Sequence, residues 1–234
     1  MRLIAVVNSH NRENYMSAIR ETWLPKVPKD QADVIFFRGR GAQREAKEDE
    51  VWLDCGDGYF SLPEKVKSIA KWALEHNYTS AAKCDDDVVL SVDKFLNSGY
   101  EQWDFNGHTN NDNADVKIPW GFLYTLSRKS LEIISTATLP SDFNDESWCS
   151  HILSQNGITL HHEPRYYLHH GKRSDFITPT KRPLRAPPRP TPTDDPTPGN
   201  GIAYCVFLHH FGYHNTPHEI NIKEFHKLYK EVAQ

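Results

Sequence analysis

The chain contains the stretch Ala81-Ala82-Lys83-Cys84-Asp85-Asp86-Asp87, in which a short apolar run leads into three consecutive aspartates. The apolar part predicts a buried β-strand, so the aspartates lie where that strand ends. Carboxylates a few ångströms apart raise one another's pKa, and such a cluster needs a compensating charge. A divalent cation supplies that charge in many sites, and a solvated helix N-terminus is the simpler alternative.

Alternating strands and helices extend outward from this stretch in both directions. We expect strands at residues 2–8, 33–37, 51–55, 81–84, 120–126 and 202–208. We expect helices at residues 15–23, 91–96, 127–135, 222–232, from Pro63 onward, and from Asn144 or Asp145 to 156. The polar stretch 103–113 predicts a loop. Strands separated by helices indicate an α/β fold with a mostly parallel central sheet, whose ligands gather at the carboxyl ends of the strands.

Composition restricts the class of protein. With 234 residues, 38% of them hydrophobic and 25% charged, the chain can bury the core of a single domain spanning 1–234. A formal charge of −4 argues against a uniformly basic nucleic-acid binder, and no run of 18 apolar residues predicts a membrane span. Four cysteines without zinc or redox spacing predict mostly buried thiols of a cytosolic protein.

One segment departs from this pattern, because residues 172–200 are rich in proline and basic side chains. Eight prolines lie between Pro179 and Pro198, so the segment predicts an extended, mobile loop. Six basic residues and one acid between 172 and 193 give a local charge of +5. The rest of the chain therefore carries −9. An active-site lid, a solvated linker and a partner-binding tail are possible roles for such a loop.

Four motifs in the first two thirds of the chain occur in a fixed order. They are S-A-I-R-E-T-W at 17–23, D-G-Y-F-S-L at 57–62 with Lys65 after it, K-C-D-D-D-V at 83–88, and P-W-G-F-L-Y-T-L-S at 119–127. In order and spacing this set resembles the signatures of β-1,3-galactosyltransferases and Fringe-type enzymes, glycosyltransferase family 31. The resemblance covers roughly residues 2–157.

The resemblance implies a GT-A fold, which is a Rossmann-like α/β catalytic domain that binds a nucleoside-diphosphate sugar. It implies Mn²⁺, or Mg²⁺, held at the D-x-D, and transfer of the sugar with inversion from a donor that is expected to be a UDP-sugar. By motif, Asp87 and Asp85 would hold the metal. The residues that would contact the donor are Arg20, Lys83, Asp85, Asp86, Trp120 and Gly121. A core aromatic is the alternative role for Trp120.

An inverting transfer also needs a base that takes the proton of the acceptor hydroxyl. The family places this base in an E-D-V-x-x-G segment at a helix N-terminus, where this chain has Asp145 and Glu146 followed by Ser147. By register Glu146 replaces the family's aspartate, and its side chain is one methylene longer. Glu146 and Asp145 both stay candidates for the base, and two ordinary acids of a helix N-terminus are the third possibility.

The third metal ligand of the family is a late histidine. His209 and His210 follow the last predicted strand, where alternation directs one of them inward. The pairs His169/His170 and His161/His162 are alternatives. Imidazole beside carboxylate oxygens favours Mn²⁺ over Mg²⁺.

The acceptor is open at this point. A glycan or glycoconjugate follows from the resemblance, whereas a hydroxymethylated base in DNA is favoured by the basic loop, through Lys181, Arg182, Arg185 and Arg189. A sugar-nucleotide-binding module without catalysis is a third reading, suggested by the glutamate at the base position. Since the chain shows neither anchor nor stem, we expect it to work in a cytosol, as a bacterial or viral protein.

Overall fold

The computed structural model describes residues 1–41, 44–109, 114–140, 144–168, 202–205 and 218–232. The strands are β1 Arg2–Val7, β2 Ala32–Arg38, β3 Glu50–Trp52, β4 Ser80–Asp85, β5 Val88–Leu90, β6 Phe105–Gly107, β7 Leu123–Ser127, β8 His161–His162, β9 Tyr166–Leu168 and β10 Ala203–Cys205. The α-helices are α1 Glu13–Glu21, α2 Leu62–Glu75, α3 Val92–Leu96, α4 Arg128–Thr136, α5 Asp145–Gln155 and α6 His218–Val232.

A seven-stranded sheet in the order β3-β2-β1-β4-β7-β6-β8 forms the centre of the molecule. The first four strands in that order are parallel, and β7 runs antiparallel to both β4 and β6. Val7 is paired with Phe37 on one side and with Asp85 on the other, so the carboxyl ends of β1, β2 and β4 meet at one edge. The expected mostly parallel α/β sheet flanked by helices is confirmed.

Both faces of this sheet are covered, which explains why β1 is a continuous apolar run. Ile4 and Val6 pack into one core cluster, whereas Leu3 and Ala5 pack into the other. The first cluster takes residues from α1, α3 and α6, and the second takes residues from α2, α4 and α5. A second sheet, β5-β10-β9, adjoins the first cluster.

Two helices, α4 and α5, begin at capping residues that the sequence indicated, whereas α1 and α6 begin earlier than expected, at Glu13 and His218. Ser127 caps α4 by accepting a hydrogen bond from the Ser130 amide at 3.3 Å. At α5 the cap is Asn144, whose Oδ1 accepts from the Ser147 amide at 3.1 Å. Asp145 is therefore the first helical residue, and its carboxylate is available for another purpose.

The stretch 103–113 differs from its prediction, since residues 105–107 form β6 inside the sheet. Asn106 and Gly107 have low strand propensity, but pairing with β7 and β8 on both sides fixes them in the strand. The predicted strand at 120–126 begins later, at Leu123, and the short strands β5, β8 and β9 were not predicted. Two or three residues give too short a pattern for sequence periodicity to detect.

Three cysteines, Cys55, Cys84 and Cys149, are buried free thiols, as expected. In the part of the chain that the structure describes, no helix has the length and apolar character to cross a bilayer. The proline-rich segment 172–200 lies outside the described residues.

Candidate active site

The three aspartates lie at the carboxyl end of β4, in the turn that leads into β5. Asp85 is the last residue of β4, while Asp86 and Asp87 follow it and are buried, with exposed fractions of 3% and 8%. Buried carboxylates need partners, because an isolated charge is poorly solvated inside a protein. The structure shows which groups meet that need.

Arg12, in the loop after β1, pairs with two of the aspartates. Its Nε lies 2.9 Å from both carboxylate oxygens of Asp86, and its Nη2 lies 3.2 Å from Asp87 Oδ2. Asn8 Nδ2 also donates to Asp86 Oδ2 at 2.6 Å. Burial alone would lower the pKa of Arg12, but the paired Asp86 outweighs it and the net shift is upward. The carboxylate of Asp86 thus fastens the loop after β1 to the end of β4.

Lys83 is a buried cation inside the same cluster. Its Nζ lies 2.6 Å from Asp85 Oδ1 and 3.5 Å from Asp145 Oδ2, and it donates to the Gly121 carbonyl. Burial acts to lower the pKa of Lys83, whereas Asp145 and Asp85 raise it, and the net shift is upward. Lys83 therefore stays protonated and connects the end of β4 to the start of α5.

Asp85 presents the most accessible carboxylate of the three, because its side chain is 34% exposed. Desolvation raises the pKa of Asp85, Lys83 opposes that effect, and the carboxylates of Asp145 and Asp86 add to it. The net shift is upward. Additional positive charge at this position would therefore stabilise the ionised form.

The two candidate bases occupy different environments. Asp145 is 1% exposed, and its Oδ2 accepts a hydrogen bond from Tyr124 at 2.8 Å in addition to facing Lys83. Glu146 is half-buried; its Oε1 accepts from Asn144 Nδ2 at 2.6 Å. Burial and the neighbouring Asp145 carboxylate raise the pKa of Glu146 to about 8.

Trp120 and Gly121 precede β7, and Gly121 lies beside Glu146. A β-carbon added at Gly121 would lie 3.1 Å from Glu146 Cδ, so the backbone and the carboxyl group are in close contact. Trp120 is partly buried against the core, with its ring centroid 3.9 Å from that of His108. The structure therefore brings together Lys83, Asp85, Gly121, Asp145 and Glu146.

An open pocket of about 620 Å³ adjoins the carboxyl end of β1. Its lining comes from the loops after β1, β2 and β3, and the residues are Ser9, His10, Asn11, Arg12, Arg40, Asp57, Gly58 and Tyr59. Asp57 joins the three loops, since it accepts from the Gly39 amide at 2.6 Å and from the His10 amide at 2.8 Å, and it also accepts from Lys65 Nζ at 2.9 Å. Burial works to raise the pKa of Asp57, but these donors outweigh it and lower the pKa.

The structure pairs Arg20 with acids that do not belong to the aspartate cluster. Its guanidinium binds Asp49 at 2.7 and 2.8 Å and Glu50 at 2.7 Å, near the start of β3. Among the described residues, its hydrogen bonds and ion pairs involve these two acids and not the aspartate cluster. The cation that pairs with Asp86 and Asp87 is Arg12, which was not predicted from the sequence.

The predicted histidine ligands fall into two groups. His161 and His162 form β8, where His161 stacks on Trp103 at 3.8 Å and His162 Nδ1 accepts from the Thr109 amide at 3.2 Å. The other four, His169, His170, His209 and His210, lie outside the described residues, as do Lys181, Arg182, Arg185 and Arg189. Within the described ranges no three His, Cys, Asp or Glu side chains form a group suited to a metal ion.

Comparison with known proteins identifies the fold. No family model and no curated protein matches the sequence. A glycosyltransferase involved in the glycosylation of the major capsid of PBCV-1 has a similar structure, with a TM-score of 0.57 and 9% identity over 97% of this chain and 98% of that chain. A structure from Desulfovibrio desulfuricans G20 described as a nucleotide-diphospho-sugar transferase gives a TM-score of 0.45 and 10% identity over 68% of this chain and 78% of that chain, too low to support an argument. The chain therefore has a GT-A-like glycosyltransferase fold.

Proposed function

We propose that the chain is a glycosyltransferase that moves a sugar from a nucleoside diphosphate to an acceptor hydroxyl. The observation that carries this proposal is the cluster of Lys83, Asp85, Gly121 and Glu146 at the edge where β1 and β4 end. In open α/β sheets, ligands bind outside the carboxyl ends of the strands. The 620 Å³ pocket opens at the same edge and has room for a nucleotide.

The donor would occupy this pocket, with its nucleoside between the loop after β1 and the loop at Asp57. The resemblance to glycosyltransferase family 31 favours a UDP-sugar. Arg12 lines the pocket while it pairs with Asp86 and Asp87, and the Asp85 carboxylate, whose side chain is 34% exposed, would face the diphosphate. Trp120 and Gly121 would then flank the donor sugar.

The chemistry of the donor set fits a hard divalent cation. Asp85 and Asp87 offer carboxylate oxygens, which Mn²⁺ and Mg²⁺ accept, and the upward pKa shift of Asp85 is of the kind that a cation reverses. Asp85 and Asp87 would hold the metal, with His209 or His210 as the third ligand. A bound cation would neutralise the negative charge that develops on the departing diphosphate.

Glu146 is the proposed base. The acceptor oxygen attacks the anomeric carbon while the bond from that carbon to the diphosphate breaks, and the diphosphate leaves with the bonding electrons. Glu146 takes the proton of the acceptor hydroxyl, and the sugar is transferred with inversion. A pKa of about 8 suits a group that must gain and lose a proton near neutral pH.

Asp145 has a different part in this scheme. It is buried and accepts from Tyr124, so it cannot reach an acceptor, but it holds the Lys83 ammonium group that also binds Asp85. We therefore assign Asp145 as a positioning residue.

The proposed acceptor is a glycan or glycoconjugate. The argument for hydroxymethylated DNA as the acceptor depends on the basic segment 172–200, and nothing in the described residues favours this alternative. Three buried free thiols suit a reducing compartment such as the cytosol.

Isothermal titration with UDP, with and without Mn²⁺, tests the donor site. Mass spectrometry of glycoside acceptors incubated with mixed UDP-sugars then tests transfer. We expect UDP binding that Mn²⁺ strengthens, and a product heavier by one hexose or pentose residue. UDP binding without any transfer would favour the inert module, and failure to bind UDP or another nucleoside diphosphate would contradict the proposal.

A further inference from the structure

Two adjacent aromatic side chains, Tyr59 and Phe60, protrude from the short 3-10 turn before α2. Tyr59 is 63% exposed and Phe60 is 97% exposed, and their ring centroids lie 6.0 Å apart in an edge-to-face arrangement. Phe60 is the most exposed of the large hydrophobic side chains in the described residues. The fold does not bury this ring, so the core does not explain an aromatic residue at this position.

Tyr59 connects this pair to the proposed base. Burial together with the neighbouring Glu146 and Asp145 carboxylates raises the pKa of Tyr59, and the Asn144 side chain donates to Glu146 Oε1 at 2.6 Å. Tyr59 also lines the 620 Å³ pocket. Tyr59 therefore borders the pocket and lies near Glu146, and the exposed Phe60 ring is next to it.

We propose that Tyr59 and Phe60 form an aromatic platform on which a sugar ring of the acceptor rests while its hydroxyl approaches Glu146. This inference depends on the proposed function, since it assigns the acceptor side of the same site. Sugar rings have an apolar C–H face that packs on an aromatic ring, and a protruding phenyl ring offers such a surface. Burying Phe60 under an acceptor would also remove exposed apolar area from water.

The charges around the platform are mixed, so the aromatic rings and not the charges indicate the occupant. Asp54 pairs with Arg40, and Asp57 pairs with Lys65. Arg12 and Arg40 line the pocket together with Tyr59, while the carboxyl groups of Glu146 and Asp145 also lie near Tyr59. The exposed ring faces favour the apolar face of an uncharged glycoside.

Saturation-transfer NMR tests the platform with methyl β-D-galactopyranoside and methyl β-D-glucopyranoside, in the presence of UDP and Mn²⁺. We expect at least one glycoside to bind the wild-type chain through its ring C–H protons. Phe60→Ala should weaken that binding by about tenfold, whereas Phe60→Trp should keep it within about twofold. UDP affinity should be unchanged in both variants.

Trp103→Ala is the matched control, because Trp103 is also an exposed aromatic residue but precedes β6 near the amino end of β4. It should leave glycoside binding unchanged. Since Phe60 is almost fully exposed, its replacement should shift the melting temperature by no more than about 1 °C.

Several results would overturn the platform. Equal glycoside binding by wild type and Phe60→Ala, no glycoside binding by a wild-type chain that binds UDP, or a loss of UDP affinity in Phe60→Ala would each contradict it. If a hydroxymethylcytosine oligonucleotide bound in a Phe60-dependent way and neither glycoside did, the platform would bind a nucleobase and not a sugar. A dimer that Phe60→Ala dissociates in sedimentation velocity would make the pair a subunit contact. Failure of the wild type to bind UDP would instead count against the proposed function itself.

Discussion

The carboxyl group of Glu146 lies so close to Gly121 that a β-carbon at residue 121 would stand 3.1 Å from Glu146 Cδ and Oε2. The carbonyl of the same glycine accepts a hydrogen bond from Lys83, which binds Asp85. One backbone position therefore touches both the proposed base and the buried cation. Little space separates them, so the position of the Glu146 carboxyl group depends on residue 121 being glycine.

Gly121→Ala should lower kcat by about tenfold, because the added methyl group displaces the Glu146 carboxyl group from the acceptor. UDP affinity should stay within about twofold of the wild-type value, since the pocket at the end of β1 is untouched. Steady-state kinetics and isothermal titration measure the two quantities.

Glu146→Asp provides the matched background, because its shorter side chain relieves the contact with the new methyl group. Gly121→Ala should lower kcat by a smaller factor in the Glu146→Asp background than in the wild type. The same loss in both backgrounds would mean that Gly121 acts independently of Glu146.

Glu146→Gln should stabilise the folded chain at high pH. The carboxyl group has a pKa of about 8 in the folded chain against an ordinary value of 4.5, so folding favours its protonated form. The wild type therefore loses stability as pH rises from 4.5 to 8, and the amide variant avoids that loss, which is of the order of a few kcal/mol.

Urea unfolding at pH 4.5, 7 and 9 measures this difference. The free energy of unfolding of the variant should increase relative to that of the wild type as pH rises, and this difference should level off above about pH 8. An advantage that is independent of pH would show that the folded chain does not perturb this carboxyl group.

Asp145→Asn should destabilise the fold by about 2 kcal/mol, because it removes one of the two carboxylates around buried Lys83 and keeps the other, Asp85. Glu132→Gln is the control, as it breaks an exposed i,i+4 pair with Arg128 at 3.4 Å, which we expect to cost less than about 0.5 kcal/mol. Chemical denaturation compares the two variants. Equal losses of stability in the two variants would contradict a stabilising pair between Asp145 and buried Lys83.

Removal of divalent cations should suppress transfer. After treatment with EDTA we expect activity to fall to background and to return with Mn²⁺ more fully than with Mg²⁺. Asp85→Asn should raise the Mn²⁺ concentration for half-maximal activity by about tenfold, through loss of one ligand. Undiminished activity in EDTA would contradict the metal assignment.

The sheet and the aspartate cluster were predictable because they depend on local patterns. A continuous apolar run ending in Asp85-Asp86-Asp87 defines a buried strand and its carboxyl end, and both are observed. The cap of α5 was left open between Asn144 and Asp145, since either side chain can accept from the third amide. The structure decides for Asn144.

Arg12 was missed because its partners lie 74 and 75 residues away. Only the adjacency of β1 and β4 brings it to Asp86 and Asp87, and a single sequence does not reveal which strands are neighbours. Arg20 was assigned to the donor by motif alone; the structure pairs it with Asp49 and Glu50, and its contact with a donor stays a prediction.

The most direct test of the account is transfer from UDP-sugars to a glycoside acceptor, measured by mass spectrometry for the wild type and Glu146→Gln side by side. We expect the wild type to form the glycosylated product and Glu146→Gln to form it at least about a hundredfold more slowly, with UDP affinity retained. Transfer by Glu146→Gln at the wild-type rate would contradict the assignment of Glu146 as the base.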